Sequence, residues 1–261
     1  MTTVTIKGRK YTFKYKTTGR AAETAAAILD KPEEKRTPAD IAQLVSLLWI
    51  VHHHDSPGNN SKLAGIDSIS TSALDNPICK ARTQCENANC ICSHCYAITQ
   101  QKRDTALNEH NIINGIILRN HLFTVDALIY APIYTQFARI ESFGDVATET
   151  QARNYLRLMK AHPQQNFGVW TKNPRIWANA IKTEGKPENV IFTLSSPLIN
   201  HPTEPADDLK TLFDHVFTVY NKTASACITC RKKCRDCILS KTGCYFKASE
   251  TNPKHVSKAL K

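Results

Sequence analysis

Ten cysteines lie in two short groups, and none occurs elsewhere in the 261 residues. The first stretch, NPICKARTQCENANCICSHCYA, carries five cysteines between Asn76 and Ala97. The second, CITCRKKCRDCILSKTGC, carries five more between Cys227 and Cys244. Two cysteines separated by two residues can direct both sulfurs at one metal centre, as in zinc sites and iron–sulfur proteins. Such pairs occur in both stretches, so the sequence predicts metal binding through thiolates.

The surroundings of a chain decide whether clustered cysteines form disulfides or bind metals. The N-terminal sequence MTTVTIKGRKYTFKYK has no apolar signal region. The longest apolar run, LVSLLWIV, is much shorter than the roughly 20 residues that cross a bilayer. We therefore expect a cytoplasmic protein without a membrane partner. In that reducing compartment clustered cysteines are more often metal ligands than disulfides.

The two groups suggest different kinds of centre. The C-terminal group has enough thiols for a complete site, and intervening residues such as Arg231 and Lys232 would lower their pKa values. In the N-terminal group, Cys92 and Cys95 form the natural pair. A cluster held by only three cysteines would keep one iron open for a substrate. Spacing does not separate zinc from an iron–sulfur cluster, and it allows the groups to share one centre.

The middle of the chain alternates apolar strands with amphipathic helices. Strands are predicted at QFARIES, NFGVW, NVIFTL and HVFTVY, and helices at TETQARNYLRLMKAH, PRIWANAIKTEG and PADDLKTLFD. Short apolar strands rich in β-branched and aromatic residues are typical of buried parallel sheets. The pattern predicts an α/β fold, either a partial (β/α) barrel or an open, mostly parallel sheet with helices.

The flanking regions complete a predicted division at residues 1–60, 61–222 and 223–261. TVTIKGRKYTFKYK indicates a hairpin. PADIAQLVSLLWIVHHH indicates a helix capped by Thr37, with three histidines at its end. IDSISTS is a predicted strand, and the residues from Ser93 to about Asn120 a predicted helix.

Polar residues follow the predicted strands. In parallel α/β folds functional groups collect where the strands end. We expect a cofactor pocket there, lined by Asp145, Lys172, Asn173 and Ser196. Glu141 and Asp145 straddle one strand end and could act as an acid and a base, or bind a hydroxyl of a cofactor. Both cysteine groups follow predicted strands, so they are expected at the same edge, as a metal site at the C-terminal ends of the strands.

The net charge of +11 is concentrated towards the C-terminus. From Lys222 onward ten Lys or Arg stand against two acids, a difference of +8. Such an excess suggests nucleic acid as a partner of the C-terminal segment. Solubility, or compensation of the thiolates of a metal site, explains the same charge equally well.

Several of these stretches resemble the phage "gene product 88"-like proteins. The resemblance rests on NSKLAGIDSISTSALDNPIC, ICSHCYA, ESFGD, VWTKNP, NVIFTLSS and FTVYNK. It implies a phage or mobile-element context and hence a host cytoplasm. The family's cysteine patterns fall on Cys79, Cys92 and Cys95, with Tyr96 and Ala97, and on Cys230, Cys234, Cys237 and Cys244. Cys85, Cys90 and Cys227 are additional.

The chain is also distantly similar to radical S-adenosylmethionine enzymes. Those enzymes have a partial β/α barrel, with three cysteines after the first barrel strand that bind a [4Fe–4S] cluster. This similarity implies cluster binding by Cys79, Cys92 and Cys95, and S-adenosylmethionine as a further cofactor. The twelve residues between Cys79 and Cys92 depart from the usual C-x3-C-x2-C spacing.

Two functions follow as hypotheses. The first is an iron–sulfur protein, in its enzyme form a radical S-adenosylmethionine-like enzyme. Its C-terminal group holds zinc or a second cluster, or completes the first. The alternative is a non-enzymatic nucleic-acid-binding protein stabilised by structural zinc or iron–sulfur centres.

Overall fold

The structure is a computed structural model that describes residues 1–54, 62–221, 230, 234–249 and 254–260. The boundaries predicted after residues 60 and 222 lie outside the described residues. Cys227, with the cations at 231–233, lies outside them as well.

The chain opens with a two-stranded hairpin of β1 (Thr2–Ile6) and β2 (Arg9–Phe13). The other strands form one sheet in the order β3-β4-β5-β6-β7-β8-β9. They are β3 (Ile50–His52), β4 (Asp67–Ile69), β5 (Phe137–Ile140), β6 (Asn166–Thr171), β7 (Val190–Ser195), β8 (His215–Tyr220) and β9 (His255–Ala259). Only β3 pairs antiparallel, and all pairs from β4 to β9 are parallel. The predicted mixed α/β fold with a mostly parallel sheet is confirmed.

Helices connect these strands. They are α1 (Lys16–Leu29), α2 (Pro38–Ser46), α3 (Pro77–Thr83), α4 (Tyr96–Arg103), α5 (Thr105–Asn120), α6 (Val125–Leu128), α7 (Glu149–Ala161), α8 (Pro174–Glu184) and α9 (Cys234–Leu239). Short 3-10 helices occur at Glu33–Lys35, Ile91–His94 and Asp207–Leu212. No helix in the described parts of the chain is long and apolar enough to cross a membrane.

The two faces of the sheet are covered differently. Parallel strands in sequential order with right-handed crossovers place their connecting helices on one face. That helix-covered face carries the main core, including Ile140, Val169 and Phe192. Alternate residues point to the opposite face, where Phe137 and Trp170 pack with Tyr245 from the C-terminal part of the chain. We call this second face the cysteine-covered face, because the segment on it carries the C-terminal cysteines.

Two predicted helices differ in the structure. The helix expected from Pro38 to the histidines ends at Ser46, and Ile50–His52 pairs with β4 instead. The prediction was wrong there because two β-branched residues at the edge of a sheet favour pairing over helix extension. The helix expected from Ser93 to Asn120 is broken at Asp104, whose carboxylate caps α5 by accepting from the Leu107 amide at 3.0 Å.

The histidines next to this new strand take part in the sheet. His52 Nδ1 lies 2.9 Å from Asp67 Oδ1, and His53 Nε2 lies 2.9 Å from Ser68 Oγ. They therefore join the edge strand to β4, and the expected position at a helix end is wrong. Helix α1 and strand β9 are further elements that the sequence analysis does not predict.

Gly168 shows how closely the C-terminal segment packs on the sheet. A Cβ at this position would lie 2.6 Å from the Trp170 ring and 2.9 Å from the Tyr245 ring. We expect Gly168→Ala to lower the free energy of unfolding by roughly 1–3 kcal/mol, because overpacking forces both rings to shift. Urea denaturation measures the effect, and an unchanged midpoint would show that Tyr245 does not pack there.

Candidate functional site

The nine described cysteines form no disulfide with one another. Among the residues in the described ranges, no group of three or more His, Cys, Asp or Glu side chains is arranged to hold a metal ion. The positions of the thiols and the charges around them determine what the site can do chemically.

Helix α3 brings Cys79 to the carboxyl ends of the strands. Asn76 caps the helix, with its Oδ1 accepting from the amides of Ile78 and Cys79 at 2.9 and 3.2 Å. The Asn76 Nδ2 donates to the carbonyl of Asp145 at 2.6 Å. Because Asp145 lies in the loop after β5, one asparagine both starts the helix and fixes it to this loop.

The segment with Cys92 and Cys95 is attached further along the same edge. The Ile91 amide donates to the Pro197 carbonyl at 2.9 Å, in the loop after β7. The hydroxyl of Tyr96, directly after Cys95, donates to the Ser142 carbonyl after β5. Cys79, Cys92 and Cys95 are therefore carried to the carboxyl ends of β5 to β7, as predicted. We call these three cysteines the rim group.

The thiols of the rim group share one electrostatic environment. Burial raises the pKa of Cys79, and the charges of Asp145, Glu141 and Cys95 act in the same direction. Burial also raises the pKa of Cys92, and the Cys95 thiol adds to that shift. Lys172 opposes the shift at both cysteines. This lysine is the cation common to the two thiols.

The charge of Lys172 also acts on the carboxylate of Asp145. Its Oδ1 accepts from Thr171 Oγ1 at 2.7 Å and its Oδ2 from the Lys172 amide at 2.8 Å. Burial raises the pKa of Asp145, and the amide and ammonium of Lys172 oppose that shift. Arg82, from the last turn of α3, lies 3.9 Å from Asp145 Oδ2 and donates to the Lys172 carbonyl at 2.9 Å. The predicted Asp145 and Lys172 thus lie together beside the rim group.

The side chains of Asn173 and Ser196 are engaged with neighbouring loops. Asn173 Nδ2 donates to the Val146 carbonyl at 2.7 Å. Ser196 Oγ donates to the Leu198 carbonyl at 3.1 Å and also contacts the His201 carbonyl. Both residues lie at the ends of their strands as predicted. Their expected role in cofactor binding stays a prediction.

Glu141 is held in a buried network whose other members the sequence analysis does not identify. Its Oε1 accepts from Tyr155 Oη at 2.7 Å and from Gln151 Nε2 at 2.6 Å, and its Oε2 accepts from the Thr71 amide at 3.0 Å. Burial raises the pKa of Glu141, and the bonds from Thr71 and Tyr155 oppose the shift. The apolar periodicity of α7 includes Tyr155 but not the polar Gln151, and only the fold brings both side chains to Glu141.

The turn after β5, residues 141–145, has an unusual backbone conformation. Glu141 has a positive φ of 54°, a strained conformation that often marks functional sites. A Cβ on Gly144 would lie 2.6 Å from Glu141 Oε2 and 2.7 Å from the Thr71 carbonyl oxygen. The turn ESFGD therefore requires glycine at this position, and it presents Asp145 towards the rim group.

The C-terminal cysteines lie elsewhere, so the expectation of one shared edge is wrong for them. Cys234 packs with Phe137 and Tyr245 on the cysteine-covered face, and its amide donates to the Lys62 carbonyl at 3.0 Å. The Cys230 amide donates to the carbonyl of Ser257 in β9 at 2.7 Å. Apolar residues of this segment pack on the face opposite the main core, which among the described residues carries the separate cluster of Ile66, Phe137, Cys234 and Tyr245. We call Cys230, Cys234, Cys237 and Cys244 the sheet group.

Fold and site together define an α/β protein with a sequential, mostly parallel sheet and a cysteine-rich site at its carboxyl edge. The chain belongs to the gene product 88 family, a phage-type family whose model matches residues 52–226. No curated protein and no solved structure matches the chain. The comparisons thus give no support to a similarity with radical S-adenosylmethionine enzymes. The matched region contains the rim group and ends before Cys230.

The buried Glu141 network gives a testable prediction. In Glu141→Gln an amide N–H must face groups that are themselves donors, such as Tyr155 Oη and the Thr71 amide. We expect the free energy of unfolding to fall by roughly 1–3 kcal/mol, the usual cost of an unsatisfied buried polar group. Urea denaturation measures it, with Glu188→Gln, an exposed glutamate, as the matched control.

The pH dependence of this difference has a definite sign. Burial raises the pKa of Glu141 above its ordinary value of 4.5. The wild-type carboxyl therefore contributes stability that is fully present below that pH and is lost as the pH rises through the raised pKa. The difference in the free energy of unfolding between the wild type and Glu141→Gln should therefore become smaller as the pH rises. A deficit that widens instead would show that Glu141 folds with a lowered pKa.

Proposed function

We propose that the rim group binds a [4Fe–4S] cluster at the carboxyl edge of the sheet. The observation that carries this proposal is that Cys79, Cys92 and Cys95 lie at one edge of the sheet, where the charge of Lys172 acts on both Cys79 and Cys92. The three cysteines come from one connection between β4 and β5, which the docking of Asn76 and Ile91 folds onto that edge.

The chemistry of the donor set fits such a cluster. Cysteine thiolates are the usual ligands of [4Fe–4S] clusters, and three of them leave one iron without a protein ligand. Structural zinc sites, by contrast, are closed by four ligands. A centre with one open position at the edge where α/β proteins bind ligands is suited to chemistry on a second molecule.

The charged residues near the rim group also fit a bound cluster. Thiolates and a bound cluster bring negative charge to a buried site that already contains Asp145 and Glu141. Lys172 and Arg82 supply positive charge on the same side. The two cations would stabilise the loaded state, since hydrogen bonds and net charge around a cluster tune its properties.

We propose S-adenosylmethionine as the second ligand of this edge. A bound S-adenosylmethionine would supply radical chemistry, and residues of this chain would hold it. The chain would contribute binding groups: Lys172 carries a charge complementary to the carboxylate of the ligand. Asp145 orients the Lys172 backbone, and Asn173 and Ser196 hold the adjoining loops.

Iron and sulfide analysis after anaerobic reconstitution tests cluster binding. We expect Cys79→Ala, Cys92→Ala and Cys95→Ala each to lose about four irons per chain relative to the wild type, because a missing ligand opens the cluster. Cys85→Ala is the matched control, since Cys85 is exposed and lies in the same connection. Unchanged iron and sulfide in all three rim variants would refute the proposal.

The ligand proposal has a separate test. Lys172→Met should keep the iron content and weaken S-adenosylmethionine binding about tenfold, as the loss of one charge-assisted hydrogen bond predicts. Equilibrium dialysis of the loaded protein measures binding, with Lys182→Met, an exposed lysine of α8, as control. Equal affinity in both variants would remove Lys172 from the binding site.

A second candidate function, nucleic-acid binding, rests on the charge of +8 from Lys222 onward. Electrostatic binding of this kind weakens steeply as salt rises. If the C-terminal segment binds nucleic acid, alanine at Asp145 and Lys172 should leave that binding unchanged. Loss of binding in those variants would move the interface to the rim group.

A further inference from the structure

We propose that the N-terminal hairpin binds double-stranded DNA by placing its basic outer face in the major groove. We call this face the ribbon surface, and it consists of the exposed residues Thr3, Thr5, Lys7, Lys10, Thr12 and Lys14. None of these residues belongs to the rim group or to the C-terminal segment. The proposal therefore holds whatever those two parts of the chain bind.

The hairpin has one buried face and one exposed face. Val4, Ile6 and Phe13 are buried in the main core. Alternate residues of a strand point to opposite faces, so the residues between them point away from the core. On this outer face two cross-strand pairs are exposed, Thr3 with Thr12 and Thr5 with Lys10.

The turn of the hairpin holds Lys7 at its tip. Lys7 and Gly8 have positive φ values of 48° and 78°. Two-residue turns of this kind match the right-handed twist of the strands that they join. The short turn and the packed inner face fix the ribbon surface before a ligand arrives, which lowers the entropic cost of binding.

The charge of this part of the chain has one sign. The first 22 residues contain six Lys or Arg and no Asp or Glu. One of the six, Arg9, forms a salt bridge with Asp75. The other five, which are exposed and form no salt bridge with another described residue, are Lys7, Lys10, Lys14, Lys16 and Arg20.

Two acidic side chains that contact this region are used inside the protein. Glu109 is only 3% exposed, and its carboxylate accepts from the amides of Lys14 and Tyr15 at 2.5 and 3.3 Å. Asp75 is 5% exposed and is bound by Arg119 at 2.7 Å as well as by Arg9. Both carboxylates are buried and engaged, so they do not pair the exposed lysines of the ribbon surface.

Helix α1 adds positive charge where an isolated helix would favour negative charge. Its first turn contains no acidic residue, although the N-terminal end of a helix is stabilised by anions. Lys16 begins the helix and Arg20 follows four residues later, a spacing at which like charges repel each other. Folding alone does not favour this arrangement, whereas a bound polyanion stabilises it.

Double-stranded DNA fits both the shape and the charge of the ribbon surface. The major groove of B-DNA is about 12 Å wide and admits a two-stranded β-ribbon. β1 and β2 have five residues each and therefore span roughly 17 Å. The hydroxyls of Thr3 and Thr12 lie 3.3 Å apart on this face and can hydrogen-bond base edges, while the lysines bind phosphates.

Fluorescence anisotropy with a labelled DNA duplex of about 20 base pairs tests the proposal on the full chain. The ribbon variant carries Lys7→Gln, Lys10→Gln and Lys14→Gln. We expect its affinity to be at least about tenfold lower, and the slope of log K against log salt to fall by about three, one for each phosphate contact. The control variant Lys35→Gln, Lys102→Gln, Lys182→Gln removes the same charge at exposed positions elsewhere and should bind as the wild type does.

Three results would overturn the proposal. The first is a wild type that does not bind the duplex, and the second is an equal loss of affinity in the ribbon and control variants. The third is unchanged binding in the ribbon variant together with lost binding in Lys241→Gln, Lys254→Gln, two exposed lysines of the C-terminal segment. That third result would move the interface to the C-terminal segment, so the failures of the two nucleic-acid proposals are distinguishable.

An RNA duplex of the same sequence separates groove binding from general attraction to a polyanion. The major groove of A-form RNA is deep and narrow, so it does not admit the ribbon. We expect the wild type to bind the RNA duplex at least about tenfold more weakly than the DNA duplex, and this difference to disappear in the ribbon variant. Equal affinity of the wild type for both duplexes would overturn binding in the major groove.

Discussion

Sequential order of parallel strands is the constraint on which the structure depends. With right-handed crossovers, the order β4 to β9 places the connecting helices on one face and leaves the other face to be covered by something else. The C-terminal segment covers this second face, where its Tyr245 and Phe246 pack on Phe137. The same order brings the ends of β5, β6 and β7 side by side, so that one connection can span all three. The carboxyl edge of the sheet therefore positions the rim group, and the face opposite the helices positions the sheet group.

Electrostatics separates the two groups. The rim group lies with two buried carboxylates, Glu141 and Asp145, and its main counter-charge is Lys172. In the sheet group, the charges of Arg139 and Lys62 lower the pKa values of Cys234 and Cys244.

Much of this arrangement could be predicted from local pattern. The alternation of apolar strands and amphipathic helices predicted β5 to β8 with α7 and α8, because their periodicity and their packing agree. The position of the rim group also followed, since the residues after a parallel strand must lie at its carboxyl end. The edge strand β3 could not be predicted from the sequence, because Ile50 and Val51 continue the helical pattern. Only the presence of β4 favours strand pairing over helix at these residues. The Glu141 network joins Thr71, Gln151 and Tyr155, whose separations along the chain carry no local signal. The sequence pattern also does not predict where the sheet group lies, because that depends on which face of the sheet the connecting helices leave open.

The C-terminal origin of the covering segment has a consequence for biosynthesis. Phe137 and Trp170 leave the ribosome long before Cys234 and Tyr245, which are needed to cover them. We expect the nascent chain to expose an aromatic surface until the covering segment has been translated. Strand β9 follows the other strands of the sheet in the chain, so the parallel sheet is completed only after β9 has been translated. Termination of translation before the covering segment would therefore leave an aggregation-prone sheet rather than a smaller native domain.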